Sequence, residues 1–295
     1  MDVSNSRSTK FRGMPTIRYI NLDRSPDRQA FMEQQFSEWN VTDFRRFHGV
    51  DGKEVDFSDY IIGRHPGRVP GYIGGMLSHL SLIDDWLETT DEPYLMVMED
   101  DCSFSGVAHW PFDWAEFFSR LPPDFDAVQL SVINVRYMVF RLHERMPSNW
   151  SSAAYIMTRA YAETLMRLHR IGSRYRFNRL HRQKTNTEDT LFGSGKTYTM
   201  PIFSYLSELG SLLHQHHIEE IHVPSERAFQ RFWSAKAADV PDWSKMFDTR
   251  GALDPENEDW DTYTEVLDPA ALVRLTPDSR LPDWLAKLLH NRGAM

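Results

Sequence analysis

Cysteine is nearly absent from this chain. Cys102 stands alone among 295 residues, so no internal disulfide can form, which fits a reducing compartment or indifference to redox state. Long apolar runs are missing too, and the longest fall far short of the roughly 18 residues a membrane-spanning helix needs. The opening stretch, 1–13, is polar and lacks the apolar core of a secretory signal, so a loose tail and a cytoplasmic location are expected. Positive charge is not in surplus: 42 acids outweigh 33 bases for a net charge of −9, which argues against general nucleic-acid binding. No internal repeat is present.

What the chain does have is apolar material, 41% hydrophobic and 13% aromatic, ample for a core. Its length suits one large α/β domain or a domain with an appendage. Charge is unevenly placed. Arg167 to Lys184 carries seven Arg or Lys and no acid, whereas Asp239 to Asp268 carries ten acids against Lys245 and Arg250. The basic run could meet phosphates, an acidic acceptor or a membrane surface, at most peripherally, or serve only as a solvated helix face and loop.

The segment Tyr94-Leu-Met-Val-Met-Glu-Asp-Asp-Cys102 is the most informative. Five consecutive apolar residues read as a buried strand that delivers Glu99, Asp100 and Asp101 to its carboxyl end, where crevices form in open α/β sheets. Three adjacent carboxylates repel one another. A divalent cation carrying a phosphorylated ligand would give them a purpose, because hard cations take oxygen ligands. An acidic strand-to-loop turn is the plainer alternative.

Around it, elements alternate. A strand at Thr16–Leu22 precedes a helix with Ser25 as N-cap, Pro26 first and Asp27 in the positive first turn. A short strand near Phe44–Phe47 leads to the turn at Gly49–Gly52, and 53–73 reads as an irregular loop. A second helix follows Gly74-Gly75, with Met76, Leu80, Ile83 and Leu87 as its buried stripe. Further strands are expected at Asp126–Val132, Ala153–Met157 and Tyr198–Phe203, with a helix over Arg159–His169. This order predicts a layered α/β core with a largely parallel sheet. After residue 224, tryptophans at 233, 243, 260 and 284 sit among acids and prolines, and helical periodicity is poor until Leu281–His290. The expected organisation is a tail over 1–13, an α/β domain over 14–224 and an appendage over 225–295 packed on it.

Four segments resemble glycosyltransferase family 25, which contains bacterial lipooligosaccharide galactosyltransferases and the collagen galactosyltransferases. They are Ile20-Asn-Leu-Asp-Arg-Ser-Pro-Asp-Arg28, Arg46-Phe-His-Gly-Val-Asp-Gly52, Gly71-Tyr-Ile-Gly-Gly-Met-Leu-Ser-His79 and Met98-Glu-Asp-Asp101. Weaker echoes lie at Ala153–Met157 and Thr187–Thr190. The chain departs from the pattern at Tyr72, where the family has glutamate, and at Gly75, where it has cysteine.

The resemblance implies a GT-A type fold and an inverting, metal-dependent transfer of a hexose, galactose or glucose first, from a UDP-sugar to a saccharide, glycolipid or glycoprotein acceptor. By similarity to such sites, Asp101 would bind Mn²⁺ or Mg²⁺, and Glu99 and Asp100 would hold the ribose, the sugar or a water on the metal. The nucleoside would lie at Asn21, Leu22 and Asp23, with Arg24 or Arg28 facing a phosphate. Arg28 could instead pair with Asp27 or Glu33.

Ser78 and His79, near the start of the second helix, would serve an anion or sugar oxygens. A buried His79 would hold a hydrogen bond rather than shuttle protons. Inversion needs a base on the acceptor hydroxyl, for which Asp189 comes first and Glu188 second. Thr187-Glu-Asp is equally a helix start, with Thr187 as cap. In His214-Gln-His-His217, His214 or His216 could add a metal ligand, although the spacing matches no zinc motif.

Two other classes stay open. A catalytically silent glycan-binding or scaffold protein would explain the changes at 72 and 75. A metal-dependent phosphohydrolase would need further Asp/His motifs, and none has suitable spacing.

Overall fold

The computed structural model describes residues 9–63, 69–177, 186–207 and 218–268. Its centre is a seven-stranded mixed sheet. The strands are β1 (Ile17–Asn21), β2 (Phe44–His48), β3 (Tyr94–Glu99), β4 (Ala127–Gln129), β5 (His143–Glu144), β6 (Ala154–Thr158) and β7 (Thr197–Thr199), in the order β2-β1-β3-β6-β4-β7-β5. Strand β1 runs parallel to β2 and β3, and β7 runs parallel to β4. Strand β6 lies antiparallel between β3 and β4, and β5 lies antiparallel to β7. Five strands therefore share one direction, as a largely parallel sheet requires. The reversal of β6 has a consequence for function: its amino-terminal approach, Ser151 to Ala153, reaches the same sheet edge as the carboxyl ends of β1 and β3.

The apolar run of β3 is buried on both faces, and its side chains alternate between two cores. Met96 and Met98 enter the core that includes Phe36 of helix α1 (Pro26–Glu38), and Leu95 and Val97 enter the one formed with helix α2 (Pro70–Thr89). A short helix α3 (Trp114–Ser119) joins the first face. Helix α4 (Arg159–His169) joins the second, and the Thr158 side chain accepts from the Tyr161 N–H to cap it. Burying one such Leu or Met stabilises the fold by roughly 1.5–3 kcal/mol, so the paired layers hold the sheet edge rigidly beneath the site.

The strands expected at Asp126–Val132 and Tyr198–Phe203 are confined to Ala127–Gln129 and Thr197–Thr199, and two helix starts differ from expectation. Helix α2 starts at Pro70 and runs through Gly74-Gly75. A Cβ on Gly74 would stand 2.6 Å from both Gly52 N and Val50 O, so this glycine is a packing requirement and not a helix start. Ser78 and His79 consequently sit more than two turns inside the helix, away from its positive end. Helix α5 (Thr187–Phe192) is capped by Asn186, whose side chain accepts from the Asp189 N–H, and not by Thr187.

After residue 222 the described segment is a mixture of helix, short helical turns and loop, in keeping with the irregular or helical appendage expected there. It holds one regular helix that the poor periodicity of the sequence did not mark. Helix α6 (Val223–Arg231) continues into a wider π-type turn over Phe232–Lys236. Ser225, Ala228, Phe229 and Phe232 form its buried face, an apolar and small-residue spacing that Pro224 near the start also marks. Phe232 stacks on Phe140 with centroids 3.9 Å apart, and Thr264–Val266 pairs antiparallel with Tyr137–Val139. Trp233 and Trp260 are core residues, so their rings line no groove. Trp284 and the expected helix over Leu281–His290 lie outside the described residues. No helix among the described residues is long and apolar enough to cross a membrane.

Candidate active site

A cleft of about 450 Å³ opens at the sheet edge where β1 and β3 end and β6 begins. Three neighbouring acids of different character form its floor. Asp100 is buried and fully engaged: Oδ1 accepts from Arg28 Nη1 at 2.6 Å and Oδ2 from Asn21 Nδ2 at 2.8 Å. Burial pushes its carboxyl up from the usual range, against the pull of Arg28.

Glu99 Oε1 accepts from Ser152 Oγ at 2.6 Å and lies 3.2 Å from His79 Nε2. Burial would raise its carboxyl, but the contacts with His79 and Ser152 and the charge of Arg28 hold it below the ordinary value. Asp101 is the odd one. Burial and then the charge of Glu99 push it up to about 7, and its Oδ1 is buried with no hydrogen-bond partner. Its other oxygen lies 3.6 Å from Arg28 Nη1.

The residues flanking the acids serve mixed purposes. Asn21, at 1% exposure, also donates to Ser25 O and accepts from Arg46 Nε, so its side chain ties the β1 turn together. Leu22 lines the cleft. Asp23 is not part of its lining; it accepts from Arg46 at 2.6 Å and meets His48 Nδ1 at 2.7 Å, and His48 and Arg46 hold its carboxyl low. Arg24 donates to the Asp51 carboxylate at the cleft wall. Arg28 belongs with Asp100 and Asp101, a pairing across the fold that neither Asp27 nor Glu33 foreshadows.

Ser78 Oγ accepts from Val50 N–H and donates to Gly74 O, which fastens the 49–52 turn to α2. His79 is buried, with Nδ1 3.1 Å from the Tyr155 hydroxyl and Nε2 on Glu99.

Of the two candidate bases, Glu188 lines the cleft and its Oε1 accepts from Ser151 N–H at 3.0 Å. Asp189 is not part of the lining and stands 4.0 Å from Arg145 Nη1. His214 and His216 lie outside the described residues; His222, further along and described, lines the cleft. Among the described residues no group of three or more His, Cys, Asp or Glu converges as a metal site. The basic run is partly neutralised: Arg170 pairs with Asp84 and Glu88 of α2.

Several cleft residues escaped the sequence reading. Asn186, Trp150, Ser151, Ser152 and Tyr205 all line it. Ser151 adopts φ +96°, a left-handed conformation unusual for a serine. Leu206 N–H donates to Asp101 O, which brings Tyr205 and Ser207 alongside the acids. Nothing local in the sequence marks these positions, since strand reversal and long-range pairing bring them in.

A cleft at the carboxyl ends of parallel strands, floored by acids and walled by backbone turns, is the usual ligand position of an open α/β sheet. A family model described as glycosyltransferase family 25 (LPS biosynthesis protein) matches residues 14–171, and the chain belongs to that family. A curated relative from Acanthamoeba polyphaga mimivirus, named Putative glycosyltransferase R655, is 32% identical over 90 residues. That match takes in 29% of this chain and 28% of the relative's length, so the chain spans little more than a quarter of that protein.

Among solved structures, A197 from STIV aligns over 64% of this chain and 83% of its own, at 12% identity and TM-score 0.36. The nucleoside-diphosphate-sugar pyrophosphorylase from Vibrio cholerae RC9 aligns over 68% and 77%, at 11% identity and TM-score 0.29.

Proposed function

We propose that this chain is an inverting, metal-dependent glycosyltransferase on a GT-A type fold, moving a hexose from a UDP-sugar to a saccharide hydroxyl. The observation that carries the reading is Asp101, in a family 25 chain: a carboxylate on the cleft floor with one buried oxygen that no protein donor satisfies. Buried polar atoms are nearly always paired, so such an atom calls for a ligand. Mg²⁺-type cations are often held by one or two carboxylates together with substrate phosphates, so Asp101 suits Mn²⁺ or Mg²⁺ without a larger protein cluster. When bound, the cation would supply Lewis-acid stabilisation of the charge growing on the departing diphosphate.

The chain's own residues do the rest. Arg28, with Asp100, fixes the floor and tempers the repulsion among the acids. His79 and Ser152 keep Glu99 ionised and oriented towards sugar or ribose hydroxyls. The nucleoside would rest against Asn21 and Leu22, with Arg24 and Asp51 beside it. Glu188 takes the general-base role ahead of Asp189, because it faces the cleft and Ser151 N–H aims it. The acceptor oxygen bonds to the anomeric carbon, the bond from that carbon to the diphosphate oxygen breaks, and the hydroxyl proton passes to Glu188.

The test is release of nucleoside diphosphate from a panel of UDP-, GDP- and CMP-sugars, with Mn²⁺ or with EDTA. Release from one UDP-sugar that EDTA and Asp101→Asn both abolish would support the reading. Release that survives both would overturn the metal assignment. Silence across the panel, with UDP and Mn²⁺ failing to raise the melting temperature, would overturn the transferase.

A further inference from the structure

Six of the eight described tryptophans are buried, and a seventh, Trp243, is partly buried beneath an arginine. Trp86, Trp110, Trp114, Trp233 and Trp260 are exposed by 2% or less and Trp39 by 9%, and Trp243 lies under the Arg120 guanidinium, 4.6 Å from its ring centroid. Trp150 is 36% exposed, on the wall of the cleft. Leaving part of an indole in water forgoes apolar burial, so a ring kept outside the core at a cleft wall points to a ligand.

Its backbone is not loose. Trp150 N–H donates to Ile133 O, Ile133 N–H donates back to Trp150 O, and Gln129 Nε2 donates to the same carbonyl. The next residue, Ser151, holds φ +96°, a strained conformation that persists where the surroundings enforce it. Here Glu188 accepts from Ser151 N–H, and Ala153 N–H donates to Ser151 Oγ. One strained turn thus presents an indole and, at the adjacent residue, orients a carboxylate. A pyranose needs that pair of features, since its C–H face packs on an aromatic ring while its hydroxyls bond to polar groups.

We infer that Trp150 is the stacking platform for the acceptor's sugar ring, seating it with the attacking hydroxyl at Glu188. The inference rests on the reading of Glu188 as the base. The nucleoside's proposed place is at Asn21 and Leu22, and Ser152, two residues after Trp150, donates to Glu99.

The experiment is ligand-observed saturation-transfer NMR on the full chain with methyl β-galactoside, methyl β-glucoside and uridine as probes, comparing wild type with Trp150→Ala and Trp150→Phe. A melting temperature held by both variants confirms that each is folded. Saturation of a methyl glycoside's ring protons in wild type and Trp150→Phe is expected, with binding roughly tenfold weaker in Trp150→Ala, the scale of one aromatic contact. No glycoside signal in wild type, or a signal equal in wild type and Trp150→Ala, overturns the platform. A uridine signal lost in Trp150→Ala, with the glycosides unaffected, assigns the ring to the base and also overturns it. Nucleoside-diphosphate release by the unmutated protein reads the transferase separately. Glycoside binding at Trp150 with no release, and with UDP and Mn²⁺ failing to raise the melting temperature, would leave a sugar-stacking ring but overturn its role as an acceptor platform.

Discussion

Arg28 and Asp100, 72 residues apart along the chain, meet at 2.6 Å inside the protein, with their side chains only 10% and 8% exposed. Their contact locks α1 to the end of β3 directly beneath the cleft. Because the guanidinium also faces Asp101 at 3.6 Å, Arg28 offsets the charge of the acidic floor and is committed to it before any phosphate arrives.

Removing one member of such a pair strands the other. Arg28→Ala should lower stability by about 3–5 kcal/mol, the range for breaking a buried ion pair from one side. Arg28→Lys should lose less, since the charge remains and only the fork geometry goes. Urea unfolding of the two variants checks this. A loss below about 1 kcal/mol for Arg28→Ala would mean that water reaches Asp100 freely.

Asp101 should behave in the opposite way. Burial and the neighbouring charge of Glu99 both disfavour its ionised form, and Oδ1 makes no hydrogen bond that a substitution would break. In chelator-treated protein at neutral pH, Asp101→Asn should therefore be as stable as wild type or more stable by about 1 kcal/mol. The same substitution should abolish nucleotide release. A variant that unfolds would instead make Asp101 a structural carboxylate.

Much of this was legible along the chain, for identifiable reasons. The five apolar residues of β3 and the acids after them read correctly, because a buried strand needs no partner to be recognised. The bounds of α4 at Arg159 and His169 likewise follow from local pattern. Misreadings arose where a residue answers to a distant one. Gly74 resembles a helix break, but its bareness is set by the 50–52 turn. Arg28 offers two local acids and takes two remote ones. Asp189 and Glu188 adjoin along the chain, and which of them lines the cleft, Glu188, depends on where α5 meets Ser151 N–H. The reversed direction of β6 carries no periodic signal at all, and it is what puts Ser151 and Ser152 in the site.

His143 gives a pH dependence of definite sign. It is buried, Nδ1 lies 2.7 Å from the Arg141 carbonyl, and Asn149 Nδ2 points at Nε2 from 3.1 Å. This arrangement suits the neutral ring with its proton on Nδ1. Burial holds its pKa down at about 4, against the raising effect of the Arg141 carbonyl. Between pH 6.5 and 4 the unfolded chain binds a proton there that the folded protein refuses, so stability falls as pH falls. The loss across that window is on the order of 3 kcal/mol. Urea unfolding at pH 7.5 and pH 4.5 should show a smaller acid loss for His143→Gln than for wild type. Equal losses would mean that the ring accepts the proton in the folded state.

Adjacent glycines on α2 should respond with opposite signs. A Cβ on Gly74 would press on Gly52 N and Val50 O at 2.6 Å, and one on Gly52 would come within 2.0 Å of Pro70 O. All of these are backbone atoms that cannot swing aside, so Gly74→Ala must part α2 from the 50–52 turn. A loss of roughly 2 kcal/mol or more is expected, despite the better helix propensity of alanine. Gly75 faces the cleft, and a Cβ there meets nothing within 4 Å. Gly75→Ala should then keep only the propensity gain, about 0.5–1 kcal/mol of added stability. Denaturation midpoints of the two variants read this directly. If both shifted the same way, the close approach of Gly52 and Gly74 would not be what keeps position 74 bare.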